Sequence, residues 1–221
     1  PLLTAILWFF QHTGPYAWVY AWLVVTVVML ALQYVAPRFL MPLFNDFEPL
    51  EEGDLRSAIL SYADRVDFTL DDVYVMDGSR RSSKSNAFFT GFGSNRRVVL
   101  FDTLVEQQSV DELTAVVAHE VGHYKENHIP QRMAISVLQT GVLFLLLSLF
   151  LQVEGLFEAL YVEQMSVYAG LVFFGLLYTP VDLLLSLPLQ AWSRRHEYEA
   201  DQFAADTTGR PTTLAQALKS L

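Results

Sequence analysis

Ser109-Val110-Asp111-Glu112-Leu113-Thr114-Ala115-Val116-Val117-Ala118-His119-Glu120-Val121-Gly122-His123 is the stretch on which the reading of this chain turns. Ser109 followed three residues later by Glu112 is a capping box, so a helix starts there. Leu113, Val116, Val117 and the residues from Glu120 to Tyr124 keep a 3.6-residue rhythm with one apolar side to pack. The spacing predicts one helix over 109–128, ending before Pro130. Two histidines on a helix are more often an exposed pair or a packed core feature than a metal site. Here the start signal and the apolar side place them on a half-buried helix, four residues apart and therefore on one face. His119 and His123 can then put two imidazole nitrogens on one zinc ion, with Glu120 beside the open coordination position, the geometry of a zinc peptidase.

Working outward, the chain is apolar in blocks. Hydrophobic residues make up 52% of its 221. They gather in stretches rather than spreading through a core, which marks a membrane protein with a soluble insert. Three stretches reach the roughly 20 apolar residues that a bilayer crossing needs. Residues 17–36 and 133–153 contain no charge, and 167–190 contain only Asp182, with Pro180 and Pro188. Residues 1–10 are apolar but too short to cross. No basic segment precedes them, so a signal peptide is a poor fit. They read as the tail of a further span, and with no starting methionine and a stop inside a helical pattern the chain reads as a fragment. There is no cysteine, which excludes disulfides and leaves His and carboxylate as the zinc donors. A net charge of -10 gives no nucleic-acid footprint.

Charge sets the expected sidedness. Every Lys and Arg lies within 38–132 or 194–219, while 154–166 carries glutamates and no basic residue. Arg38, Lys125, Arg132, Arg194 and Arg195 flank the spans and place the soluble parts in the cytoplasm by the positive-inside rule. Spans 133–153 and 167–190 then form a hairpin, returning the chain near Ser193 to the side that holds His119.

The insert reads as a helix over 50–66 and strands over 72–76, 85–90 and 97–101. Residues 77–84 form a loop, and Gly91-Phe92-Gly93-Ser94-Asn95 a hairpin turn. After the last span, Glu197 and Asp201 stand at i and i+4, with small Ala200, Ala204 and Ala205 permitting close helix packing. Glu197 can complete a His, His, Glu site that leaves a fourth position for water, and Asp201 can orient a ligand imidazole through its other nitrogen. Glu199, rotated about 200° from Glu197, is the weaker ligand candidate. His128 reads as a charge at a helix C-terminus or a hydrogen-bond partner. His196, about 100° from Glu197, reads as interfacial. Asp182 is expected to face a bundle interior or water.

His119 to His123, followed by Ser193 to Asp201 after a membrane hairpin, resembles the integral-membrane zinc metallopeptidases of the CAAX prenyl endopeptidase type (type I, Ste-type). Ser85 to Gly93 and then Arg97 to Leu104 look like that family's substrate-strand hairpin. A related heat-shock membrane protease has a similar Asn-Ala-Phe stretch, but the Gly-Phe-Gly turn fits the prenyl protease better. The resemblance implies a cage of membrane helices around a chamber and one zinc per chain. It matches His119, His123 and Glu197 to the ligands, Glu120 to the catalytic glutamate, Asp201 to the carboxylate behind a ligand, and Asn86 with Ala87 to the strand that holds substrate. The family's early spans, and a C-terminal portion with further active-site His and Arg, have no counterpart in this stretch.

The expected fold is mainly α: a multi-span membrane helical bundle with a small α+β, zincin-like catalytic insert. It divides into a membrane region over 1–36, the insert over 37–132, a membrane hairpin over 133–190 and a third-ligand helix over 191–221. The expected function is hydrolysis near the C-terminus of prenylated CAAX proteins, with a peptide or prenylated protein and the lipid bilayer as partners. The expected location is a bacterial inner membrane or the endoplasmic reticulum, catalytic side cytoplasmic. Membrane-protein quality control without a prenyl requirement is the alternative. A transporter with structural zinc would place several ionisable groups inside the spans, where only Asp182 stands. An inactive scaffold would not need Glu120.

Overall fold

A computed structural model of the chain describes residues 8–9, 12–80, 86–90, 96–159, 161 and 166–219. In chain order its helices are α1 (Ala17–Val35), α2 (Met41–Phe44), α3 (Asp54–Arg65), α4 (Asp102–Gln107), α5 (Val110–Lys125), α6 (His128–Leu151), α7 (Glu154–Ala159), α8 (Val167–Thr208) and α9 (Pro211–Lys219). Its strands are β1 (Phe47–Pro49), β2 (Asp72–Met76), β3 (Ala87–Thr90) and β4 (Arg97–Phe101). Two compact units share them: residues 1–31 with 130–192, and residues 32–129 with 193–221.

The first unit is helical. Gly14–Phe44, His128–Leu151 and Val167–Thr208 are each long and apolar enough to cross a membrane. Their outer side chains, Val24, Val27, Leu138, Leu149, Leu176 and Leu184 among them, stay exposed, as suits helices whose solvent is lipid. Small residues set the packing within the unit. The Trp22 indole N–H donates to the Val137 carbonyl at 2.9 Å. A Cβ on Gly141 would come within 3.2 Å of the same ring, so α1 and α6 meet where α6 has no side chain. Past residue 35 the helix widens into a π turn over Ala36–Leu40, where Pro37 has no N–H to give the α ladder.

The second unit is α+β. Its four-stranded sheet has the order β1-β2-β4-β3. β2 and β4 run parallel with Val73 beside Val98, and β3 runs antiparallel to β4 with Ala87 beside Leu100. Val73, Val98 and Leu100 pack with Ile59 and Tyr62 of α3, with Leu113, Val116, Val117 and Val121 of α5, with Ala204 of α8, and with Leu214 and Ala217 of α9. The Tyr62 hydroxyl shares a 2.7 Å hydrogen bond with Thr207. Gly209, at a positive φ of 68°, ends α8 and Pro211 opens α9, the usual asymmetry of helix ends.

Strands over 72–76 and 97–101 are found as expected. For 85–90 the described strand is Ala87–Thr90, while Ser85 and the turn at 91–95 lie outside the described residues. The helix expected over 50–66 is Asp54–Arg65, and the loop over 77–84 holds a 3-10 turn at Gly78–Arg80. Two expectations are corrected. The helix over 109–128 stops at Lys125, because Asn127 takes a left-handed φ of 57°, a conformation asparagine tolerates better than most residues. His128 therefore opens α6 instead of closing α5. The segment over 191–221 begins inside α8, which runs unbroken for 42 residues through Pro180 and Pro188, and continues in α9.

Candidate metal centre

The site starts with α5. Ser109 caps it as expected, its hydroxyl accepting from the Glu112 backbone while the Glu112 carboxylate accepts from the Ser109 N–H at 2.8 Å. That N–H, and then the hydroxyl, hold the Glu112 carboxyl below its ordinary value. With the start fixed and Val117, Ala118 and Val121 in the core, His119 and His123 turn to the same side. His119 is buried, at 8% exposure.

Gly122 lets a second helix reach them. A Cβ at this position would stand 3.0 Å from the Ala200 Cα and 3.1 Å from its carbonyl oxygen, backbone atoms that have little room to yield. Ala200 and Ala204 are fully buried on the facing side of α8. Glycine in one helix against alanine in the other brings the backbones close enough for the short side chain of Glu197 to reach both imidazoles.

Its Oε2 lies 3.5 Å from His119 Nε2 and 3.4 Å from His123 Nε2, and one donor atom from each of the three residues falls within 4.8 Å of the others. Ligands on a tetrahedral zinc at 2.0–2.1 Å are about 3.3 Å apart. Nitrogen, nitrogen and carboxylate oxygen are also the donors that a cysteine-free zinc site uses. The residues therefore fit the ion.

Asp201, one turn beyond Glu197, accepts at 2.8 Å from His119 Nδ1, which leaves the Nε2 lone pair facing Glu197. The sequence assigned Asp201 to a ligand imidazole without saying which of the two it would hold. Asp201→Asn weakens the carboxylate that holds the ring and is expected to lower zinc affinity about 10 to 100-fold without deleting a ligand. Chelator competition measures it, and unchanged affinity would reduce Asp201 to a helix surface residue.

Glu120 is half-buried, next to His119 and one turn before His123. Asn86 is exposed, and its Oδ1 accepts from the Ala87 N–H at 2.9 Å. Ala87 is buried and pairs with Leu100. β3 stands at one end of the sheet order and packs against α5. Asp182 is exposed on α8.

The reading of His128 and His196 needs revision. His128, 1% exposed, is the hydrogen-bond partner that was one of its two expected roles, with Nδ1 at 2.9 Å from His123 Nδ1 and Nε2 at 3.1 Å from Glu199 Oε2. The other role, a charge at a helix C-terminus, is excluded by its place at the start of α6. His196 is not interfacial. It is 1% exposed and stacks on His128, ring centroids 3.9 Å apart. A histidine five residues past the motif was visible in the sequence, but its burial depends on the turn at Asn127 that brings it back.

Comparison with known proteins adds an independent line. Residues 49–221 match the profile of peptidase family M48, and residues 1–46 that of the CAAX prenyl protease N-terminal region with its membrane helices. CAAX prenyl protease 1 of Saccharomyces cerevisiae is 40% identical over 214 residues, 88% of this chain and 46% of that protein. The Homo sapiens homologue is 34% identical over 260 residues, 100% of this chain and 54% of that protein. The crystal structure of S. mikatae Ste24p superposes with a TM-score of 0.84 at 37% identity, covering 99% of this chain and 54% of that one. The chain thus spans about half the length of the curated relatives it matches. The similarity and the apolar helices together make it an integral membrane protein.

Proposed function

Since the chain belongs to peptidase family M48, a metallopeptidase family, we propose that it forms the zinc centre of a membrane endopeptidase that cleaves prenylated CAAX proteins near their C-terminus. The observation that carries this reading is the approach of one Glu197 oxygen to both His119 Nε2 and His123 Nε2, at the spacing of tetrahedral zinc ligands. The names of the relatives support the substrate class.

His119, His123 and Glu197 would hold the metal. When bound, zinc acidifies a water and polarises the scissile carbonyl. Glu120 takes the proton of the attacking water and passes it to the leaving amine, so the C–N bond breaks as the new C–O bond forms. Asp201 keeps the His119 proton on Nδ1. Asn86 and Ala87, at the start of β3, receive the substrate backbone by strand addition. The Ala87 N–H first exchanges its bond to the Asn86 side chain for one to the substrate.

The test is cleavage of matched peptides, farnesylated and bare, by the complete gene product. Preferential cleavage of the farnesylated peptide is expected. Equal rates would favour the quality-control reading, and no cleavage of either would refute the peptidase reading.

The basic residues on both sides of the membrane hairpin support a cytoplasmic site. Single cysteines at Glu106, Glu158 and Thr208 of this cysteine-free chain test it. An impermeant thiol reagent added outside is expected to label only the Glu158 variant. Labelling at Thr208 but not at Glu106 would put the two halves of the zinc site on opposite sides.

A further inference from the structure

His128, His196 and Glu199 form a second group whose donor atoms lie within 4.8 Å of one another. A second metal ion is the obvious occupant, and the geometry argues against it. The two rings are nearly parallel, 11° between planes with centroids 3.9 Å apart. Imidazole lone pairs lie in the ring plane, so stacked rings send theirs out side by side instead of toward one ion. Both nitrogens of His128 are also already engaged, one by His123 and one by Glu199.

We infer that His128, supported by Glu199 and Arg195 and walled in by His196, is a positioning residue that fixes the tautomer and ring orientation of His123 for the metal. The inference rests on the zinc reading of His119, His123 and Glu197. A neutral imidazole has one nitrogen that donates and one that accepts. For His123 Nε2 to offer its lone pair toward Glu197, its proton must sit on Nδ1. That N–H donates to His128 Nδ1 at 2.9 Å, which is then the acceptor, and the proton of His128 is left on Nε2. Nε2–H donates to Glu199 Oε2 at 3.1 Å. The other Glu199 oxygen accepts from Arg195 Nε–H at 2.8 Å. Every atom in the row has one role. Reversing the first bond would put a proton on His123 Nε2, where the metal must bind.

The two ligand histidines are thus held in different ways. His119 leans directly on the carboxylate of Asp201. On its Nδ1 side His123 reaches the Glu199 carboxylate through a second imidazole, which follows the turn at Asn127.

The experiment compares wild type, His128→Leu and His128→Asn as the whole chain in detergent. Zinc affinity is read by chelator competition and ligand geometry by the d–d absorption of the Co2+-loaded protein. An asparagine oxygen can stand near the place of Nδ1 and accept from His123, whereas leucine fills the space and accepts nothing. His128→Leu is expected to weaken zinc about 10 to 100-fold and to shift the Co2+ bands. His128→Asn is expected to restore most of both. Nitrogen-15 spectra of the histidines of the zinc-loaded wild type, which need no variant to fold, are expected to show His128 protonated on Nε2 and bare on Nδ1. Wild-type affinity in His128→Leu, an equal loss in His128→Asn, or a proton on Nδ1 of His128 would each overturn the inference. A wild-type chain that binds no zinc would refute the metal reading itself, and this inference with it.

Discussion

Glu120→Gln is expected to leave zinc bound and to lower turnover by about 10² to 10⁴-fold, the contribution of a well-placed general base. The amide has the shape of the carboxylate but cannot take a proton from water, and none of the three metal donors changes. Turnover of a peptide by the complete gene product, with zinc content measured in the same preparation, checks it. Near-normal turnover with zinc in place would remove Glu120 from the reaction. A variant that had lost its zinc would instead reveal a ligand.

The second large effect separates two carboxylates on α8. Glu197→Ala removes the oxygen that approaches both imidazoles, and zinc affinity is expected to fall by more than the roughly 100-fold that marks the loss of a supporting partner. Glu199→Ala should cost less, because Glu199 touches His128 and Arg195 rather than the two ligand histidines. Equilibrium dialysis against zinc at fixed pH distinguishes them. The opposite order would mean that the wrong carboxylate has been assigned to the metal.

What could be read from the sequence is what local periodicity and a few stop signals determine. The capping box at Ser109, the apolar stretches of the three spans and the short runs of β-branched and aromatic residues in β2 and β4 each depend on neighbours within a turn or two, and the structure has them where expected. The same holds for Glu197 and Asp201, whose i and i+4 spacing already put them on one face. The rest depended on distant partners. β1 has three residues and becomes a strand only by pairing with β2. Nothing near His196 signals burial, since the wall that covers it is His128, on another helix. The end of α5 turned on the left-handed conformation of Asn127, a choice that weighs one residue's local freedom against the packing of everything after it. The third span reads as ending near residue 190 because the apolar stretch stops there, whereas α8 continues through Pro180 and Pro188 to Thr208. Each proline removes one backbone hydrogen bond, and neither breaks the helix.

The division of the site between α5 and α8 has a consequence for how the protein is made. The chain delivers His119 and His123 first, then α6, α7 and the apolar part of α8, and only afterwards Glu197 and Asp201. At ordinary rates of synthesis the two histidines wait on the order of several seconds for their third partner. Meanwhile the notch at Gly122 lacks the cover that α8 gives it. If His119, His123 and Glu197 hold zinc as proposed, stable metal loading would come after the intervening helices have been synthesised and inserted, and zinc content would be a record of completed biogenesis. A nascent chain halted between α7 and α8 would hold two of the three donors and release its metal to any competing chelator.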